Sequence, residues 1–159
     1  MNDIGRIHHT GLTVRDLDRS IAFYRDLLGC SVVFEQEKTG GYLADIVGYP
    51  GASVRMAHLR APAGDHVVEL FQYVEPRVLH ADLEPARLGN AHLCFLVPDL
   101  EAIFARLESA GIVFHSAPVD VDTGANAGGR GIYLRDPDGI TLELFQPAPG
   151  SAAAETVFD

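Results

Sequence analysis

The chain repeats itself. Residues 9–17 read HTGLTVRDL and residues 92–100 read HLCFLVPDL, so His, Val, Asp and Leu recur 83 positions apart. The tetrapeptide ELFQ stands at 69–72 and again, 74 positions on, at 143–146. Self-similarity on this scale means that one supersecondary unit is built twice, and any fold for the chain has to use both copies alike. Each copy opens with a histidine-bearing segment and closes with a glutamate-bearing one. The nine-residue difference between the two offsets is a difference in loop length.

Local patterning runs in the same order in both copies. Segment 7–14 is β-rich, and Asp16 then stands as an N-cap before Leu17, Ile21, Tyr24 and Leu28, an apolar stripe at helical spacing that Gly29 ends. In the second copy Asp99 is the cap, Leu100, Ile103, Phe104 and Leu107 form the stripe, and Gly111 is the stop. Three strands are expected after each helix, at 31–37, 53–60 and 66–73, then at 112–116, 130–135 and 140–146. The DPDG stretch from Asp136 to Gly139 is a turn signal, with Pro137 second and Gly139 free to take positive φ. The reading is an α+β protein of two βαβββ modules, 4–74 and 90–147, within one domain over 1–147. Residues 75–89 connect them and 148–159 form a mobile C-terminal tail.

A length of 159 residues suits one compact domain or two small halves sharing a core. A formal charge of −10 argues against nucleic acid or an anionic membrane as partner, since both repel an acidic surface. No apolar run approaches the ~20 residues of a membrane helix. The opening MNDIGRIHH has no apolar signal region, so a cytoplasmic location is expected. Cys30 and Cys94 make no disulfide framework.

Strand alternation decides which side chains stand together. In 7–14, Leu12 and Val14 share one face with His8 and Thr10, and His9, Gly11 and Thr13 take the other. In 91–97, Leu93, Phe95 and Val97 are the helix-facing set, opposite His92 and Cys94. Leu70, Leu142 and Leu144 take the helix side of the closing strands, which leaves Glu69 and Glu143 on the opposite face. Burying an unpaired carboxylate is costly, so a glutamate inside an apolar strand calls for a partner. Each module thus offers one histidine and one glutamate, and a pseudo-twofold pairing of modules brings His9, Glu69, His92 and Glu143 into one cleft. Two neutral imidazoles and two carboxylates balance a divalent ion, and a mixed N/O set suits nickel, cobalt, manganese, iron or zinc. Four ligands on an octahedral ion leave two positions for neighbouring substrate oxygens.

These residues resemble the vicinal-oxygen-chelate superfamily, which includes glyoxalases, epimerases, bleomycin-resistance proteins and extradiol dioxygenases. The likeness spans residues 4–147. HTGLTVRDLDRSIAFYRDLLG is similar to the superfamily's opening module, and YLRDPDGITLELFQP, from Tyr133 to Pro147, to its closing motif. The resemblance implies an incomplete, open barrel around a central metal cleft. It also implies one divalent ion on His9, Glu69, His92 and Glu143, with Glu143, Glu69 and Tyr133 as the catalytic residues. The His, Glu, His, Glu set looks like bacterial glyoxalase I. That enzyme typically carries a glutathione-gripping arginine and asparagine where this chain has Thr13 and Tyr73. Methylmalonyl-CoA epimerase resembles the HTGLTV opening better, but usually has glutamine at the place of Glu69. Extradiol dioxygenases carry a tyrosine ten residues before the glutamate, where Tyr133 stands.

Bland readings suit the remaining candidates. His8 faces away from the cleft, and His58, His66, His80 and His115 are not expected as ligands. Cys94 is a small filler beside His92, and Arg55 and Arg60 are ordinary surface charges. The glycine-rich 124–131 lacks the Lys-Ser/Thr of a phosphate loop and is equally a lid or a simple connection.

The function expected is a metal-dependent lyase or isomerase acting through a metal-chelated enediolate or enolate of a small carbonyl substrate. The alternatives are an Fe(II) extradiol dioxygenase and a non-enzymatic drug- or toxin-binding resistance protein. A homodimer is expected, because small modules leave sheet edges that a second chain covers.

Overall fold

The structure is a computed structural model that describes residues 3–77, 79–80 and 82–157. The chain divides into two compact units, Met1–His80 and Ala81–Asp159, each with one open, four-stranded mixed sheet.

The first unit contains β1 (His9–Thr13), α1 (Leu17–Ala22), β2 (Ser31–Thr39), α2 (Tyr42–Val47), β3 (Ser53–Arg60) and β4 (Val67–Glu75). Its sheet order is β1-β4-β3-β2; β1 runs parallel to β4 and the other pairs are antiparallel. The second unit contains β5 (Leu93–Leu96), α3 (Leu100–Ser109), β6 (Val119–Asp120), β7 (Arg130–Arg135), β8 (Thr141–Gln146) and α4 (Ala152–Glu155). Its order, β5-β8-β7-β6, reproduces the first, with β5 parallel to β8.

Both helix caps read from the sequence are present. Asp16 accepts from Arg19 N–H at 3.1 Å and Asp99 from Ala102 N–H at 3.0 Å, satisfying donors that a helix start leaves orphaned. Gly29 and Gly111 end their helices at φ of 79° and 81°, the left-handed conformation that glycine adopts without steric cost. Between Ala22 and Gly29 the first helix widens into a π-helical turn, Phe23–Leu27.

The repeated ELFQ owes its last residue to these helices. Gln72 and Leu70 point to the helix side of β4, and the Gln72 side-chain oxygen accepts from Leu17 N–H at 2.9 Å. Gln146 does the same for Leu100 N–H at 2.8 Å. In both modules the closing strand is therefore fastened to the start of the helix that covers it. That helix face is dry: Leu17, Tyr24, Leu59 and Leu70 in one module, and Leu100, Leu107, Leu134 and Leu142 in the other, are buried.

Three features differ from the sequence reading. The strand expected at 112–116 forms only an isolated bridge, Phe114 with Leu134, and the two-residue β6 supplies the fourth strand. The helix α2 was not expected; Leu43 and Val47 pack with Val54, Met56, Phe71 and Tyr73 over part of the sheet face opposite α1. Within the tail, Ser151 caps the short helix α4, its side chain accepting from Ala154 N–H. As the DPDG signal predicts, the Asp136 carboxylate accepts from Asp138 N–H and Ile140 N–H, and Gly139 has φ of 89°.

Candidate metal centre

The strand faces fall as alternation requires. On β1, Thr10 and Leu12 are half-buried, whereas His9, Gly11 and Thr13 are exposed on the other side. Gly11 stands beside Glu69 in the parallel register of β1 with β4, and Cys94 stands beside Glu143 in that of β5 with β8. His92 lies immediately before β5.

Each module brings its own histidine to its own glutamate. His9 Nε2 lies 3.4 Å from Glu69 Oε2, and His92 Nε2 lies 3.1 Å from Glu143 Oε2. The carboxylates are the more sheltered members, with side-chain exposures of 18% for Glu69 and 22% for Glu143 against 37% and 42% for the histidines. Two donors bound to one ion at about 2.1 Å lie about 3.0 Å apart at a right angle and about 3.4 Å apart at a tetrahedral one. Each pair therefore has the separation and the chemistry of neighbouring ligands on one ion. Among the described residues, no group of three or more His, Cys, Asp or Glu is placed to hold an ion; the structure presents the candidate ligands as two pairs.

The surroundings of the pairs differ. In the first module His58 lies directly across from Glu69, and its Nε2–H donates to Glu69 Oε1 at 2.9 Å. Its ring stacks on that of His9 at 6.0 Å, and Phe34 lies on its other side at 5.6 Å. The Nδ1 atoms of His8 and His9 are 2.8 Å apart in a shared hydrogen bond. In the second module Tyr133 lies across from Glu143, and its ring packs against His92 at 5.1 Å and His115 at 6.3 Å. Burial, then the Glu143 charge, raise the Tyr133 phenol above its ordinary range, so Tyr133 stands as a neutral donor. Burial, followed by the Glu143 charge and a hydrogen bond to that carboxylate, pushes the Cys94 thiol to about 12. The raised value leaves little thiolate, although Cys94 is exposed and not the buried filler read from the sequence.

The residues set aside in the sequence fall mostly as expected. Arg55 is committed to Asp18 and Glu37, Arg60 is exposed, His66 meets Thr10 at 3.1 Å and His80 meets Arg15. His8 and His58 are what sequence reasoning missed. The signal for His58 was available only through register: it needed the pairing of β3 with β4. The glycine-rich 124–131 is hydrogen-bonded to its neighbours, Gly128 N–H donating to Val121 and Gly129 N–H to Asn126. A Cβ on Gly129 would lie 2.6 Å from Phe145. Tyr73 packs against the cluster of Leu43, Val54 and Met56.

A fold of two such modules, each closing on a histidine and a glutamate, defines a class. The model of the Glyoxalase/Bleomycin resistance protein/Dioxygenase superfamily matches residues 6–144, and the chain belongs to that superfamily. It is 30% identical to the uncharacterized protein YaeR of Escherichia coli, covering 92% of this chain and 99% of that one. It is 28% identical to a 2-epi-5-epi-valiolone epimerase of Actinomyces, over 91% of this chain and 81% of the relative. A lactoylglutathione lyase of Pseudomonas putida is likewise 28% identical, over 89% and 85%. Among solved structures, a glyoxalase family protein of Bacillus cereus superposes with a TM-score of 0.80 at 22% identity, over 92% and 97% of the chains. The fosfomycin resistance protein FosX of Listeria monocytogenes, solved with Mn(II) and sulfate, superposes with a TM-score of 0.60 at 16% identity, over 96% and 98%. The chain's relatives therefore include an epimerase and a lyase, and a protein of similar fold was solved with a divalent metal. No helix among the described residues is long and apolar enough to cross a membrane.

Proposed function

We propose that the chain is a divalent-metal-dependent lyase or isomerase that moves a proton at the carbon beside a carbonyl group of a small substrate. His9, Glu69, His92 and Glu143 are the proposed ligands of one ion per chain. The observation that carries this reading is the same pairing in both modules, one histidine against one closing-strand glutamate at 3.4 and 3.1 Å, a spacing compatible with neighbouring ligands on one ion. The epimerase and lyase relatives support it. A bound divalent ion supplies Lewis acidity that stabilises the negative charge left on the substrate oxygen.

The protein's own groups supply the rest. Glu143, sheltered beside His92, takes the proton as general base and returns it. Tyr133, neutral and adjacent, donates a hydrogen bond toward the substrate oxygen. Glu69, tied to His58, stays in place as a ligand. Thr13 and Tyr73 favour a substrate other than a glutathione adduct, because Tyr73 is used in packing.

The position of Tyr133 against His92 and across from Glu143 also suits an Fe(II) extradiol dioxygenase; Glu69 as a further carboxylate favours the lyase or isomerase. The assay that separates them supplies nickel, cobalt, manganese, zinc or iron to metal-free protein. It follows proton exchange or isomerisation of α-hydroxy and α-keto thioesters, and oxygen uptake with catechols. Proton exchange without oxygen uptake is expected. Catechol-dependent oxygen uptake with iron alone overturns the reading, and silence in both with tight binding of an aromatic compound assigns a sequestering protein.

The proposal extends to a homodimer. Each open sheet ends in two edge strands, β1 and β2 or β5 and β6, and such edges are commonly covered. Light scattering is expected to give twice the 17.2 kDa of the chain; the monomer mass at micromolar concentration contradicts it.

A further inference from the structure

The two modules are built alike, and their glutamates are nevertheless held differently. Glu69 Oε1 accepts from His58 Nε2–H at 2.9 Å while Oε2 faces His9 Nε2 at 3.4 Å. The carboxylate is thus divided, one oxygen engaged by each histidine. Glu143 has Tyr133 at the matching cross-strand position, and a phenol on the same face packs its ring on the neighbouring histidine. His58 is itself braced between the rings of His9 and Phe34, and its side chain is only 25% exposed. A braced donor aimed at one carboxylate oxygen fixes both the rotamer of that carboxylate and the oxygen left for another partner. A hydrogen-bond donor behind a metal-binding carboxylate has this effect on ligand orientation and affinity.

We propose that His58 is a positioning residue: it holds Glu69 as a one-oxygen ligand, with Oε2 turned toward His9. The inference rests on the metal reading above and deepens it.

The test is equilibrium competition for Co(II) or Mn(II) between a chromophoric chelator and full-length protein: wild type, His58→Gln, His58→Phe, Glu69→Ala, and the double variant of the last two. Loss of the donor in His58→Phe is expected to weaken binding by about 10-fold or more. His58→Gln keeps an N–H donor and is expected to restore most of that loss. In the Glu69→Ala background His58→Phe is expected to add nothing, because its effect passes through Glu69. Thermal unfolding of the metal-free variants checks that they are folded; His58→Gln serves if His58→Phe does not fold, its affinity then expected near wild type. Wild-type affinity in His58→Phe, equal loss in the Gln and Phe variants, or an undiminished His58 effect without Glu69 each overturns the positioning role. Absence of metal binding by wild type overturns the metal reading itself, and the inference with it, so the two failures are distinguishable.

Discussion

His58 and Tyr133 occupy the same place in the two modules: each lies directly across from its module's closing glutamate, His58 from Glu69 and Tyr133 from Glu143. One donates to the carboxylate beside it, and the other lays its ring on the neighbouring histidine. The sequence repeat sets up two equal glutamates, and this difference, together with Gly11 beside Glu69 where Cys94 stands beside Glu143, makes them unequal.

The inequality predicts different costs for the two amide substitutions. Glu143→Gln keeps an oxygen donor but cannot accept a proton at neutral pH, so turnover is expected to fall by about 100-fold or more with only weakened metal binding. Glu69→Gln is expected to be the milder in turnover. Steady-state kinetics beside metal titration measures both; the reverse order contradicts the assignment of Glu143 as base.

Tyr133 acts as a donor on this account, so its phenol stays protonated through the working range. Its raised pKa, from burial and the Glu143 charge, places its ionisation above the usual ~10. In metal-free protein, the ultraviolet titration of wild type minus Tyr133→Phe is expected to show one phenol ionising above that value. Ionisation below it contradicts a neutral donor.

The thiols are expected to be inert. With the buried Cys30 pushed to about 11, and the thiol of Cys94, an exposed residue whose sulfur is partly shielded beside the Glu143 charge, to about 12, the reactive thiolate is scarce at pH 8. Alkylation by iodoacetamide is expected to run at least about 100-fold slower than for a free thiol of pKa ~8.5, rising with pH well beyond pH 9. Rapid labelling of Cys94 in the folded protein contradicts this environment.

Gln72 and Gln146 are expected to matter for stability and not for chemistry. Each accepts a backbone N–H at the start of its module's helix. Gln72→Ala and Gln146→Ala are each expected to cost about 1 kcal/mol, a fall in thermal midpoint of about 2–4 °C, with metal affinity retained. Calorimetry alongside metal titration checks both halves of the statement.

Much of this was legible in the sequence, for reasons particular residues make clear. Asp16, Gly29, Asp99 and Gly111 act through local backbone geometry, so their roles can be read without knowing the tertiary structure. The period of two in the strands places His9, Glu69 and Glu143 on the non-helix face. What could not be read depends on partners distant in sequence. His58 becomes significant only through its antiparallel register with Glu69, and Gln72 only through Leu17, 55 residues away. The helix α2 is six residues long, with Gly41 as its N-cap and Gly48 at its end, and leaves too short a periodic signal; it forms by burying Leu43 and Val47 on Met56 and Phe71. Segment 112–116 reads as a strand because of its apolar residues, yet it contributes a single bridge at Phe114.

The central claim is that the two His–Glu pairs serve one divalent ion. Elemental analysis of protein purified without chelators and dialysed, together with titration by Co(II), Ni(II) and Mn(II), tests it most directly. One ion per chain is expected, with tight binding lost in each of His9→Ala, Glu69→Ala, His92→Ala and Glu143→Ala. Two ions per chain, each lost only with its own pair, or no retained ion at micromolar protein, contradicts it.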